Sequence, residues 1–396
     1  MNDSSCRRLL STPNRWLYIL HLYLDNLVYV VQHNVMTQIP EKPEIEMQLL
    51  RCPKINEEKF FYYTQKSQKA RTYSNFGPCE ALLKSRLANL LGVEVSCTTL
   101  GSSATSLLQI ACELCCGDSE SRSADITGYF PNFSFFSTFS VAHLSRAKIK
   151  WYDLTLGTYM PAVADLPHNP KFIYLTVPFG SERILEYFQF AKSTDSYVII
   201  DAAACLPTII HKKIKLTQIP KNVIIVFSLH ATKLINSGEG GLMVFGQEIP
   251  QHAQNLTNFG FNHQRIQFWP RAYNAKMSEF NAAAGLTSLD DSTSNISKIL
   301  SAKKKAEQIG LSYGIKFFTD VASPTLTLHV LAENASQIMK ETPTKFPLRQ
   351  WWGLNKQEPE KFPVSQKLYD SLLGVPFDWE CVDDYFPTLC EYLSQK

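Results

Sequence analysis

The stretch Val223–Phe245, VIIVFSLHATKLINSGEGGLMVF, decides how this chain reads. Its opening is an apolar, β-branched run with the length and composition of a buried strand. It then breaks into the polar loop Ser228-Leu-His-Ala-Thr-Lys233 and passes through Gly238, Gly240 and Gly241 into a second apolar run. An amine at the mouth of a strand, following a serine and preceding a glycine cluster, has the setting of a carbonyl-capturing lysine. Such a lysine needs desolvation or a neighbouring cation to lower its pKa, because the protonated amine is a poor nucleophile. The competing reading is a loop lysine that is simply solvated.

About one strand-length upstream, Tyr197-Val-Ile-Ile200 is a short apolar strand ending in Asp201, followed by Ala202-Ala-Ala204. A carboxylate just past a buried strand can face a pocket and hold a cation there; it can also cap a helix or shape a turn. Pyridoxal phosphate needs a lysine for its aldehyde and an acid that keeps the pyridine nitrogen protonated, so that the ring acts as an electron sink. Lys233 and Asp201 are the candidates for those two parts.

The two segments together, IDAAA followed by FSLHATKLINSGEGGLMVF, resemble the signature of the DegT/DnrJ/EryC1/StrS family of sugar aminotransferases. The resemblance implies that Lys233 is the Schiff-base lysine, Asp201 the partner of the pyridine nitrogen and Ser228 a phosphate contact. It also implies the aspartate-aminotransferase-like α/β architecture, fold type I. That architecture is a large, mostly parallel-sheet domain carrying the cofactor, followed by a smaller C-terminal α/β domain. Short apolar strands alternating with helical stretches such as Ser181 to Ala191 point the same way, with sites at strand C-termini.

Other segments extend the match. Tyr73-Ser-Asn-Phe-Gly-Pro78 reads as a turn, and Cys79 to Leu91 as an amphipathic helix. Leu100-Gly-Ser-Ser-Ala-Thr-Ser-Leu-Leu108 has small and hydroxylic residues opening an apolar helix. Such an N-terminus is an anion site or a plain N-cap. The family pattern falls on Ser103, Ala104 and Thr105 and implies that they hold the cofactor phosphate; Ala104 replaces a glycine. In Tyr129-Phe-Pro-Asn-Phe-Ser-Phe135 an aromatic is expected to stack on the pyridine ring. The family pattern selects Phe135, against the alternative that Phe130, Phe133, Phe135 and Phe136 are all core. Trp269 to Asn281 resembles another family motif. It implies that Asn274 reaches the phosphate of a neighbouring subunit in a homodimer with shared sites. Two departures stand out: Lys276 where the family has arginine, and Ala204 where it has glutamine.

The domain reading is a large domain over residues 36–289, including an N-terminal arm, and a small domain over 290–396. The boundary is set where composition changes to Asp-Asp-Ser-Thr-Ser-Asn and a basic helix at Ser301-Ala-Lys-Lys-Lys305. Residues 1–35 read as an extension, either an added amphipathic helix or the product of an upstream start codon chosen in error. His21, Asp25 and Asn26 interrupt its apolar run, so no stable membrane span is expected. Gly314-Ile-Lys-Phe-Phe318 and Thr325-Leu-Thr-Leu-His329 read as strands, and Leu348-Arg-Gln-Trp-Trp-Gly353 as an aromatic loop. Arg349 and Trp351 there, with His230 near the lysine, are candidate substrate contacts; a domain-interface plug is the alternative for the loop.

A net charge of +3 over 396 residues argues against a dedicated nucleic-acid binder. The ten cysteines are scattered apart from Cys112, Cys115 and Cys116. Those three sit in an apolar helical run with no second ligand pair at zinc-like spacing, so they read as buried thiols and no metal is expected. Free thiols in that number suit a reducing compartment, hence a cytoplasmic protein. The function implied is pyridoxal-phosphate-dependent transamination of a nucleotide-linked 3- or 4-keto-6-deoxyhexose, with glutamate as amino donor. Two rivals remain at this stage. One is a sugar dehydratase of the same family, against which Lys233 argues. The other is a non-catalytic ligand-binding or scaffold relative.

Overall fold

The computed structural model describes residues 52–117, 126–162, 166, 170–247, 251–261, 271–318, 323–343, 346, 348–350, 352–355, 358–377, 379–380 and 382–396. The expectations for residues 1–35, the N-terminal arm, Trp269 and Trp351 lie outside these residues. Residues 49–396 form one compact unit.

The strands in chain order are β1 (Thr98–Gly101), β2 (Thr127–Pro131), β3 (Phe133–Phe135), β4 (Lys148–Tyr152), β5 (Phe172–Thr176) and β6 (Tyr197–Asp201). Then come β7 (Val223–Ser228), β8 (Gly241–Phe245), β9 (Lys316–Phe317), β10 (Thr327–Leu331), β11 (Trp352–Leu354) and β12 (Leu372–Pro376). Seven of them make one sheet in the order β1-β8-β7-β6-β5-β2-β4. Pairing is parallel from β7 through β4, and β8 runs antiparallel to both its neighbours. The large, mostly parallel sheet expected from the sequence is therefore present.

Both faces of that sheet are covered, which is why its central strands are continuous apolar runs instead of alternating ones. In β7, Val223, Ile225 and Phe227 join one core cluster while Ile224 and Val226 join the other. The same division separates Ile173 and Leu175 of β5 from Phe172 and Tyr174. The Pro78–Leu91 helix seals the first face with Leu83, Leu87 and Leu91. The Ala104–Cys116 helix seals the second, and Cys112, Cys115 and Cys116 are buried along it.

A buried carboxylate starts the first of these helices. Glu279 accepts the N–H groups of Cys79 (2.7 Å) and Glu80 (2.9 Å) and the Ser67 hydroxyl (2.7 Å). The first-turn N–H groups of a helix have no intrahelical partner, and an anion there also meets the positive end of the helix dipole.

A second, three-stranded sheet has the order β12-β10-β9, and its core draws on residues from Ile296 onward together with Leu234. The long Ser292–Ser312 helix begins at the composition change noted above. The C-terminal part is joined to segments that follow strands β2 and β4 of the large sheet. Strand β11 pairs with β3. Asp153, just after β4, accepts the N–H groups of Val364 (2.9 Å) and Ser365 (2.8 Å) at the start of the Pro363–Ser371 helix.

Candidate active site

The carboxyl ends of β5, β6 and β7, the N-terminus of the Ala104–Cys116 helix and strand β10 of the second sheet enclose one cavity of about 470 Å³. Open α/β sheets bind ligands at such strand ends, and the volume suits a cofactor-sized molecule.

Asp201 is the last residue of β6 and is buried. Its Oδ2 accepts the Tyr174 hydroxyl (3.0 Å) and its Oδ1 the N–H of Ala203 (3.0 Å). Burial raises its pKa, and the two hydrogen bonds and the Lys233 charge oppose that rise. A carboxylate has about four lone-pair sites, so both oxygens keep accepting capacity for a ligand cation.

Lys233 lies in the loop that joins β7 to β8. That loop is closed on itself by bonds from Leu229 N to Gly240 O (2.9 Å), Ala231 N to Gly238 O (2.6 Å) and Ser237 N to Leu229 O (2.7 Å). Lys233 N adds a turn to His230 O (2.8 Å). Burial lowers the Lys233 pKa, and the charges of Asp201 and Cys205 oppose that shift. The amine is thereby biased toward its neutral, nucleophilic form.

Ser103 caps the Ala104–Cys116 helix, its Oγ accepting the N–H of Ser106 (3.1 Å). Ala104 and Thr105 follow in the first turn and line the cavity. Strand β8 comes very close here: a Cβ on Gly241 would stand 2.8 Å from Ala104 N, so only glycine fits.

Ser228 also lines the cavity, its Oγ accepting the N–H of His230 (3.2 Å). The Nδ1 of His230 lies within hydrogen-bond distance of the Thr232 N–H (3.3 Å) and the Thr232 hydroxyl (2.8 Å), and its Nε2 faces Glu239 Oε1 at 3.4 Å. Of the four phenylalanines weighed for stacking, Phe130 and Phe133 are core. Phe136 is exposed without lining the cavity, and Phe135 is exposed and lines it.

The structure therefore brings together Ser103, Ala104, Thr105, Phe135, Asp201, Ser228, His230 and Lys233. Ala204 is there too, where an amide was expected. Asn274 does not line the cavity: it is exposed, bridges to Asn258 and accepts from Lys276 Nζ (2.8 Å). Lys276 lies over the Phe259 ring at 4.1 Å. Arg349 is also outside. It is exposed and pairs its backbone with Gly374. Among the described residues of that segment, Trp352 lines the cavity. Phe179, Thr325, Thr327 and His329 were missed as well. The alternation Thr325-Leu-Thr-Leu-His329 carried the signal. It sets those three polar residues on the cavity side, while Leu328 and Val330 enter the core.

Residues 54–309, well over half the chain, match the sequence model of the DegT/DnrJ/EryC1/StrS aminotransferase family. The chain belongs to that family. Among curated proteins it is similar to protein Rv3402c of Mycobacterium tuberculosis, with 27% identity over 236 residues. That match covers 56% of this chain and 54% of the relative, so the chain spans about half the length of the curated relatives it matches. Its fold is similar to that of DesI, solved in the presence of its TDP-sugar product. The TM-score is 0.69 at 20% identity, covering 87% of this chain and 91% of DesI. It is likewise similar to PseC of Helicobacter pylori, an aminotransferase of pseudoaminic acid biosynthesis. There the TM-score is 0.68 at 15% identity, covering 87% of this chain and 98% of PseC. The aspartate-aminotransferase-like fold expected from the sequence is borne out.

Among the described residues no helix is long and apolar enough to cross a membrane, and no group of three or more His, Cys, Asp and Glu side chains could hold a metal ion.

Proposed function

We propose that this family member transfers an amino group between an amino acid, glutamate by family analogy, and the keto group of a nucleotide-linked sugar, with pyridoxal phosphate as cofactor. One observation carries the reading: Lys233 and Asp201 line a single cavity that also contains a helix N-terminus. The donor set fits the cofactor. A buried acceptor suits a pyridinium N–H, the start of the Ala104–Cys116 helix suits a phosphate, and the exposed face of Phe135 suits a flat ring.

Bound there, the cofactor would supply an electron sink for the amino acid's α-carbon. The chain's own residues do the rest. The Lys233 amine would hold the cofactor's aldehyde and would move the proton of the amino donor's α-carbon, first as base and then as acid. Asp201 holds the pyridine nitrogen protonated. Ser103, Thr105 and Ser228 orient the phosphate by hydrogen bonds.

The acceptor class, a keto-sugar linked to a nucleotide, rests on family membership and on the TDP-sugar of DesI. Asn274, exposed on its own protomer, is available to reach the phosphate of a second copy in a homodimer. The test is spectroscopic. Purified protein given pyridoxal phosphate is expected to develop a visible absorbance band that borohydride fixes on Lys233, and glutamate is expected to shift that band in unreduced protein. A protein that binds no cofactor, or is labelled at another lysine, would remove the basis of the proposal.

A further inference from the structure

Four backbone groups of the loop that carries Lys233 are bonded by two side chains of one helix, Glu279–Asp290. The Asn281 amide donates from Nδ2 to the carbonyls of Ser237 (2.7 Å) and Glu239 (2.9 Å). Further along, the Ser288 hydroxyl accepts the N–H of Asn236 (3.0 Å) and donates to the carbonyl of Leu234 (3.3 Å). Positions 281 and 288 are about two turns apart and therefore share one face of the helix. That face is turned to the lysine loop.

The bonds continue inward to the lysine itself. Asn236 is buried; its Nδ2 donates to the carbonyl of Lys233 (3.3 Å), and its Oδ1 accepts the N–H of Gly238 (3.4 Å). A connected path thus runs from Ser288 through Asn236 to the backbone of Lys233. Loop and helix also touch without slack. A Cβ on Gly285 would stand 2.7 Å from Ser237 Oγ, and one on Gly240 2.6 Å from Met277 Cε. Beside the lysine, Leu234 enters the core of the second sheet and Ile235 a core of the large one.

A lysine side chain is a flexible four-carbon stem, so the reach of its amine depends on where the backbone beneath it is held. An amine that holds an aldehyde and then moves a proton at the donor's α-carbon must serve two nearby positions from one root. Misplacement of a reacting group by about 1 Å can cost about 10²-fold in rate. Asn281, Ser288 and Asn236 are not among the side chains that line the cavity. Without Asn281, the Ser237 and Glu239 carbonyls would lose these partners and the loop could turn them toward water.

We propose that Asn281 and Ser288 are positioning residues for Lys233: they fix the loop from which its amine reaches into the cavity, and they touch neither cofactor nor substrate. This rests on the transamination reading given above. The helix behind the loop sets the rate of the lysine's proton transfer, not the affinity for the amino donor.

Two measurements on two variants test it. Asn281→Leu keeps the volume and removes both donors; Ser288→Ala removes the hydroxyl. In protein free of cofactor, amide hydrogen exchange of segment 229–240 is read by mass spectrometry. It is expected to be about tenfold faster in each variant, with strands β5 and β6 exchanging as in wild type. In protein loaded with pyridoxal phosphate, the glutamate half-reaction is followed by stopped-flow absorbance per loaded site. Its limiting rate is expected to fall about 10- to 100-fold in Asn281→Leu, and by a smaller factor in Ser288→Ala. The glutamate concentration at half-maximal rate should stay within about threefold of wild type. Unaltered exchange of segment 229–240 overturns the proposal. So does a looser loop whose limiting rate per loaded site stays within about twofold of wild type, or a loss that appears only as weaker glutamate binding or fewer loaded sites. Loss of the fold in both variants overturns it too, because the two side chains would then support the core and not the amine. A wild type that shows no cofactor band, or whose band glutamate leaves unchanged, overturns the transamination reading itself, and the positioning role falls with it.

Discussion

The cavity has two walls of different origin. One is built from strand ends of the large sheet: Asp201 closes β6, Ser228 closes β7, and His230 and Lys233 come from the single loop after β7. Its groups are polar and ionisable, and they are brought together by short sequence distances and one sheet register, Asp201 lying beside Val226. The other wall gathers Phe179 from a strained turn, Thr325 to His329 from the second sheet and Trp352 from β11. It mixes aromatic rings with uncharged polar groups, and it draws on segments more than a hundred residues apart. The difference teaches that chemistry can be confined to a compact motif, whereas the rest of a cavity depends on how distant segments dock.

Substitutions on the first wall should alter rate more than stability. Lys233→Ala is expected to slow the glutamate half-reaction by at least about 10⁴-fold while the protein stays folded; stopped-flow absorbance would measure it. If Asn274 acts across a dimer, verified heterodimers of Lys233→Ala and Asn274→Asp subunits regain part of the activity, and a mixture that stays inactive removes that role. Asp201→Asn should cost about 10²- to 10³-fold in the same assay, because a neutral pyridine is a poorer electron sink. A near-wild-type rate would strip Asp201 of its part.

On the second wall the order reverses. Gly180 has φ 80°, and an added Cβ would lie 2.5 Å from Thr325 Cγ2. Gly180→Ala is expected to cost about 1–3 kcal/mol in urea unfolding. An unchanged unfolding midpoint would show that the turn is not strained.

His329 should give the smallest effect at neutral pH and a clear one in acid. Its folded pKa of about 3 lies below the ordinary 6.5. Between those values the unfolded chain binds a proton that the folded chain excludes. The stability linked to neutral His329 is therefore present above about 6.5 and is lost as pH falls toward about 3. His329→Gln is expected to flatten that decline, seen as a smaller difference between urea midpoints at neutral and mildly acidic pH. An equal decline in both proteins would mean that other groups set the acid limit.

The ends of the chemistry were legible because they depend on local pattern. The apolar run 223–227 with its polar loop announces a buried strand and a site at its end, and alternation of strands and helices announces the parallel sheet. Helix 78–91 could be recognised from its leucines, but not the cap it takes from Glu279, which comes from 200 residues downstream. Arg349 was chosen because its side chain suits sugars and phosphates. Composition says nothing about which residue of a loop faces inward, and Trp352 is set beside Phe135 by its strand register.

By itself, then, the sequence determined the sheet, the family signature and the order of Asp201, Ser228 and Lys233 along the chain. These follow from period, propensity and residue type within a few tens of residues. Tertiary structure alone decided that Phe179, His329 and Trp352 stack into one wall, and that Arg349 stays outside it. Such contacts form only when remote segments pack, and packing is fixed by the shape and burial of the whole core, which no local stretch encodes.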